Sequence, residues 1–197
     1  MVLELNEVHA ASHVRSGPVA RVGAVCAIFA GASRAALIIA PRMGLSPPAL
    51  ETIYLAIDLA ILLALLALLT RLGNRLSLRG FAGVVMAITG LLVIRTGERS
   101  LFGAAAYSAG AGLLAIGMAV TTFPFIRVQG LGRLTAILFA MSPATAIIAS
   151  TLRLGKAGFN IASAFFGSAL IAAGAMLMFD ENPRKSDNTS TALHSPP

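Results

Sequence analysis

The sequence predicts an all-α membrane protein, a compact bundle of six transmembrane helices with short loops. Hydrophobic residues make up 57% of its 197 residues and charged residues only 12%, about half of the ~25% charged residues usual in soluble domains. A chain of this length cannot hide so much apolar surface in one soluble core. The apolar residues also fall into six runs separated by short basic or Gly/Pro-containing connections.

Most runs are close to the ~20 residues that a helix needs to cross ~30 Å of hydrocarbon, and the third is the weakest. Apolar residues occur all round the runs, without the alternation of a barrel strand. Helices also satisfy their own backbone hydrogen bonds in lipid. The predicted spans are residues 20–41, 49–70, 79–95, 101–124, 132–152 and 157–179.

Two polar segments flank the predicted transmembrane domain, residues 18–179. Residues 1–17 are polar and mixed in charge, and residues 180–197 form a Ser/Pro-rich tail. The tail has no apolar periodicity, so it is expected to be disordered and dispensable for folding.

The first and third spans each have an alternative interpretation. Basic residues before the first run and Ala30-Gly31-Ala32 resemble a signal peptide. The apolar run resumes after Arg34 and acidic residues precede it, which favours a retained helix. The third run needs Arg79 and Arg95 to reach outward to the interface, and a re-entrant segment is the alternative.

The distribution of basic residues predicts the orientation of the bundle. Cytoplasmic segments carry more Lys and Arg than external ones. With the N-terminus inside, nine basic residues fall on the inner side and five on the outer side. Both termini are therefore predicted to be cytoplasmic. The preference for Arg over Lys and the Ala/Gly/Leu bias indicate a bacterial chain, and hence the cell (inner) membrane.

Two ionisable residues lie well inside predicted spans, Arg34 in the first and Asp58 in the second. Each costs at least ~2.5–3.5 kcal/mol at a helix centre if it is unpaired. Both lie at the same sequence distance from Ser46 in the connection between the two spans, so an antiparallel hairpin places them at similar depth. We therefore expect an Arg34–Asp58 ion pair, with a structural role or as part of a substrate or proton site.

The fifth span contains a proline that lacks the N–H of a helical hydrogen bond. Pro143 is expected to kink the helix and to free a carbonyl near the midplane. Ser142 and Thr145 beside it, with Tyr107 from the fourth span, are candidates to line a small polar cavity. The alternative is a tolerated kink whose free carbonyl accepts from a Ser or Thr hydroxyl.

Small residues four apart mark candidate helix contacts, because they let backbones approach closely in lipid. Such stripes occur in the first, fourth and sixth spans: Gly23, Ala27, Gly31, Ala35; Ala104, Ser108, Gly112; Ala164, Ser168, Ala172. An Arg-Leu-Gly shared by the second and fifth connections is weak support for an inverted repeat of two three-helix halves.

Several functions are disfavoured by what the sequence lacks. The basic residues do not form the basic face of a nucleic-acid-binding module, and the single cysteine, Cys26, allows no CxxC site. His9 and His13 have helical spacing but no third ligand, so neither a metal nor a cofactor is predicted. There is no hydrolase, metalloprotease or P-loop motif.

The sequence therefore predicts a non-enzymatic multi-pass protein with an accessory, association or regulatory role. Its expected partners are the lipid bilayer and a second copy or another membrane protein. The alternative is a small-solute or ion permease acting as an oligomer. Its path would lie near Arg34, Asp58 and the Pro143 kink. A water-accessible cavity reaching Asp58 or Ser142 and Thr145 would favour the permease.

Overall fold

In a computed structural model, residues 17–38, 44, 46–72, 77–97, 103–127 and 130–179 are described. The polar N-terminal segment up to residue 16 and the tail from residue 180 lie outside them. The described residues form six α-helices and one short 3-10 helix, Phe123–Arg127, after the fourth. The α-helices are α1 Gly17–Leu37, α2 Pro47–Leu72, α3 Leu78–Gly97, α4 Gly103–Thr122, α5 Leu131–Thr151 and α6 Gly155–Phe179.

All six helices are long and apolar enough to cross a membrane, which confirms the predicted fold class. The third is continuous over 20 residues, so the structure shows a full-length helix where a re-entrant segment was the alternative. Large apolar side chains cover the outer surface. Val22, Leu59 and Ile147 are each more than half exposed, which in water would be an aggregation hazard and in lipid is the expected exterior.

The helices form a closed ring in sequence order. Each packs against its neighbours along the chain, and α1 also packs extensively against α6, which closes the ring. The contacts between α3 and α4 and between α5 and α6 are also extensive, whereas α2 and α3 touch only lightly. We call the side where Gly17 and Phe179 lie the terminal face. The opposite side, which carries the α1–α2, α3–α4 and α5–α6 connections, is the loop face.

The most extensive contact in the ring joins α3 to α4 through glycines seven residues apart. A Cβ added at Gly83 would lie 2.7 Å from the Gly117 carbonyl oxygen, and one at Gly110 would lie 2.7 Å from that of Gly90. Only glycine allows the two backbones to come this near. Close van der Waals packing of this kind holds helices together in lipid, where apolar burial gives little driving force.

The α1–α6 contact that closes the ring uses the same arrangement. Gly31 lies against the backbone of Gly167, and a Cβ at Gly174 would lie 2.7 Å from the Ala24 carbonyl oxygen. Gly31 belongs to the small-residue stripe predicted for the first span. Gly23, also in that stripe, lies instead against Ala67 of α2. The stripe is therefore a contact face, but it serves two neighbours.

Two members of the stripe predicted for the fourth span, Ser108 and Gly112, do not lie in the α3–α4 contact. Ser108 is exposed, and a Cβ added at Gly112 would meet nothing within 4 Å. The face of α4 that packs against α3 carries Gly110, Leu114 and Gly117 instead. In an Ala/Gly-rich helix several small-residue stripes coexist, and spacing alone does not show which one turns inward.

The connection between α5 and α6 is a tight turn built from backbone hydrogen bonds. The Leu154 N–H donates to the Ala149 carbonyl at 2.9 Å, and the Arg153 N–H donates to the Ser150 carbonyl at 3.2 Å. Arg153 has a φ of 54°, the left-handed conformation that ends many helices and that usually falls to glycine. These bonds satisfy carbonyls at the α5 end and turn the chain directly into α6.

Candidate functional site: an arginine-containing vestibule at the loop face

A half-open cavity of about 120 Å³ lies at the loop face of the ring. Its lining comes from four helices on different sides of the ring, so it occupies the mouth of the bundle interior. We call it the vestibule. It is lined by residues from the end of α1 and the first turns of α2, α4 and α6: Arg34, Leu37, Ile38, Tyr54, Tyr107, Asn160 and Ser163.

Arg34 supplies the positive charge of the vestibule. Its guanidinium carbon lies 5.5 Å from the ring centroid of Phe166 on α6, within the range of a cation–π contact. Its Nε is buried and, among the described residues, has no hydrogen-bond partner. Phe166 in turn packs edge-on against Phe139 of α5, with ring centroids 5.6 Å apart. The aromatic pair thus supports the arginine from the side of the bundle interior.

The other polar lining residues all carry hydrogen-bond donors. Tyr54 and Tyr107 are the two tyrosines of the chain, and each is 39% exposed. Asn160 and Ser163 lie one turn apart on α6. Phenol, amide and hydroxyl groups can donate to an oxygen atom as well as accept. The vestibule therefore combines one fixed cation with four neutral donors.

Asp58 forms an ion pair, but with Arg95 of α3 and not with Arg34 as predicted. The Arg95 Nε lies 2.8 Å from Asp58 Oδ2, and the two side chains are 25% and 12% exposed. The pair joins α2 to α3, the two neighbours with the lightest packing. It provides the neutralisation expected for a charge inside a span.

The prediction failed because equal depth does not fix the rotation of a helix about its axis. Arg34 projects from the face of α1 that packs on α6, where a Cβ at Gly167 would lie 3.7 Å from the Arg34 Cβ. Asp58 reaches toward α3, the neighbour of α2 on the other side of the ring. Arg95 ends the third apolar run, so the sequence predicts that it reaches the membrane interface. Nothing in a single sequence indicates that it pairs with Asp58.

The polar cavity predicted around Pro143 is not formed as expected. Tyr107 does line the vestibule. Ser142 is instead 5% exposed and donates to the Ala162 carbonyl of α6 at 3.0 Å. Pro143 and Thr145 are partly buried and do not line the vestibule. The serine beside the proline therefore links α5 to α6, since its short hydroxyl finds a backbone acceptor on the adjacent helix.

An apolar floor closes the vestibule toward the terminal face. One or two turns below three of the polar lining residues the same helix places buried apolar side chains: Ile57 and Ile61 below Tyr54, Leu114 below Tyr107, Phe166 and Leu170 below Ser163. Each of these is at most 5% exposed, and they belong to one continuous core. The polar lining thus stops within the loop-face half of the bundle.

Three polar lining residues were not predicted from the sequence: Tyr54, Asn160 and Ser163. Each lies in the first turns of its helix, where polar residues are usually attributed to the membrane interface. They line the vestibule because they lie on the inward side of the ring. One feature of the sequence indicated such a site: Asn160 is an amide inside a predicted apolar span.

No group of three His, Cys, Asp or Glu side chains that could hold a metal ion occurs in the described part of the chain. Comparison with known proteins adds no assignment: no family model, no curated protein and no solved structure matches this chain.

Proposed function

We propose that this chain is a non-enzymatic multi-pass membrane protein that acts by binding and association and not by passing a solute through its own interior. The observation that carries the proposal is the apolar floor of the vestibule. Water or an ion that reached Arg34 would meet Ile57, Ile61 and Phe166, all at most 5% exposed. Moving a charge through such a layer is costly, because these apolar side chains do not replace its hydration shell.

The polar groups of the vestibule also support a binding role over catalysis. Its lining consists of an arginine, two tyrosines, an asparagine, a serine and two aliphatic residues. A serine nucleophile needs an adjacent base such as His or Lys, and the lining provides neither. The Asp58 carboxylate is engaged with Arg95 at 2.8 Å.

The outward stripe on α4 supports association with a second copy or another membrane protein. Ser108 is exposed and a side chain could be added at Gly112 without meeting the bundle. Small residues on an outer face allow a second helix to approach closely in lipid.

The orientation with both termini cytoplasmic and the placement in the inner membrane also stay predictions.

A permease is the second candidate, and one observation favours it. The vestibule is open to the loop face, lies on the axis of a closed ring and carries an arginine. A transport pathway through the bundle would have this arrangement in its loop-face half. For transport, the ring would have to rearrange so that the apolar floor opened.

A flux measurement separates the two candidates. The full-length protein would be reconstituted in liposomes, and the release of trapped phosphate and chloride would be followed against protein-free liposomes. We expect release at the rate of the protein-free liposomes. Release that depends on the protein and disappears in Arg34→Gln would overturn the binding role and favour the permease.

A further inference from the structure

We infer that the vestibule binds a phosphate group, carried by an anionic lipid or by a small phosphate in solution. The inference deepens the proposed function by naming the ligand class. It rests on that function only in treating the vestibule as a binding site with a closed floor.

The positive charge of Arg34 favours an anionic ligand. Asp58, one turn below Tyr54 on α2, is ion-paired with Arg95. Among the described residues no acidic side chain lines the vestibule, and Glu51, one turn above Tyr54, is exposed. The charge of Arg34 is therefore uncompensated within the described residues, and its buried Nε lacks a hydrogen-bond partner. A buried charged group without a partner is costly, and an anion would remove that cost.

The arrangement of the hydrogen-bond donors in the vestibule favours phosphate over carboxylate. Phe166 covers one face of the Arg34 guanidinium, which leaves the N–H groups at its edge for a ligand. A guanidinium edge matches two oxygens of a phosphate or carboxylate. The remaining donors surround the cavity from α2, α4 and α6. Donors on several sides suit the tetrahedral oxygens of phosphate better than the two coplanar oxygens of a carboxylate.

The volume of the vestibule limits the size of its ligand. The vestibule encloses about 120 Å³, whereas pockets for drug-sized molecules usually enclose about 300–1,000 Å³. A phosphate with a small substituent fits this space, and a nucleotide or a sugar phosphate of several rings does not. The half-open mouth at the loop face leaves room for the rest of a lipid or for solvent.

Binding to the purified full-length protein in detergent tests the inference. Native mass spectrometry would count bound phosphatidylglycerol, with zwitterionic phosphatidylcholine for comparison, and calorimetry would measure inorganic phosphate. We expect Arg34→Gln to weaken binding at least about tenfold, as for the loss of a charge-assisted hydrogen-bonded pair. Phosphatidylglycerol binding alone would identify the lipid as the source, and phosphate binding alone would identify the soluble ligand.

The matched control is Arg21→Gln, on the same helix and exposed near the terminal face. It removes one positive charge without touching the vestibule and should change binding less than about twofold, since exposed charges act weakly over distance. Equal losses in the two arginine variants would indicate nonspecific attraction and overturn the inference. So would unchanged binding in Arg34→Gln, or the failure of both probes to bind the wild-type protein.

A second variant keeps the test decisive if Arg34→Gln does not fold. The double change Tyr54→Phe plus Tyr107→Phe keeps the charge and the ring volume and removes two hydroxyl donors. It should weaken binding about tenfold. Undiminished affinity in a folded double variant would contradict the donor cradle. If the protein both binds phosphate and releases trapped anions, the proposed function is wrong and this inference stands. If it does neither, this inference is wrong and the proposed function stands.

Discussion

Asp58 and Arg95 stabilise the part of the ring that packing stabilises least. They link α2 to α3 at 2.8 Å, where the two helices otherwise touch lightly. Arg34 differs from both, because an aromatic ring and an open cavity replace the carboxylate partner. These three charged residues therefore divide into an ion pair that links two helices and an arginine that faces a cavity.

A double-mutant cycle on Asp58 and Arg95 tests the structural pair. Asp58→Leu alone should lower the thermal stability of the protein in detergent, because it leaves Arg95 partly buried without its partner. The pair is partly exposed, so the expected coupling energy is about 1–3 kcal/mol. Adding Arg95→Leu should recover much of the loss.

The matched cycle on Asp58 and Arg34 serves as the control. These two residues do not pair, so their effects should add to within about 0.5 kcal/mol. Strong coupling between Asp58 and Arg34, with none between Asp58 and Arg95, would restore the partner predicted from sequence and contradict the arrangement described above.

At the scale of the helix, contact depends on glycines that bring backbones together. The pairs Gly83–Gly117 and Gly90–Gly110 in α3–α4 have a counterpart in Ala24–Gly174 and Gly31–Gly167 in α1–α6. Each pair is repeated after seven residues, two turns along antiparallel helices. The closure of the ring and the hairpin with the most extensive contact, α3–α4, thus depend on the same local feature.

Two glycines on α4, two positions apart, allow a sharp test of this feature. A Cβ at Gly110 would lie 2.7 Å from a backbone oxygen of α3, whereas one at Gly112 would meet nothing within 4 Å. Gly110→Val should therefore destabilise the protein by about 3 kcal/mol, near the upper end for overpacking. Thermal unfolding in detergent measures the effect.

Gly112→Val is the control and should leave the unfolding temperature of the monomer nearly unchanged. The two variants add the same side chain to the same helix, so helix propensity cancels in the comparison. Equal destabilisation by both would show that the α3–α4 contact does not depend on Gly110.

The six helices could be predicted from the sequence because lipid imposes a length and an apolar composition on each span. The α1 stripe was correct in part, since Gly23 and Gly31 both meet neighbours. The partner of Asp58, the inward face of α4 and most of the vestibule could not be predicted. Each depends on the rotation of a helix about its axis, and helices that are apolar all round carry little record of that rotation in their sequence.

For the whole molecule, the central feature is a closed ring with an open polar vestibule at the loop face. The polar side chains buried toward the terminal face, Thr121, Thr122 and Thr135, donate to carbonyls of their own helices. The first and last helices meet, so four helices can contribute to one vestibule. Below it, buried apolar side chains and close glycine contacts fill the bundle. The apolar floor between the vestibule and the terminal face is what supports binding over passage.

Cysteine accessibility in membranes tests the closed floor most directly. In a Cys26→Ala background, Tyr54→Cys and Ile61→Cys place thiols two turns apart on α2, one in the vestibule and one in the core. A membrane-impermeant thiol reagent would be added to either side of the membrane. We expect Tyr54→Cys to be labelled from one side only and Ile61→Cys from neither. Labelling of Ile61→Cys from either side, or of Tyr54→Cys from both, would show a water path through the floor and contradict the account.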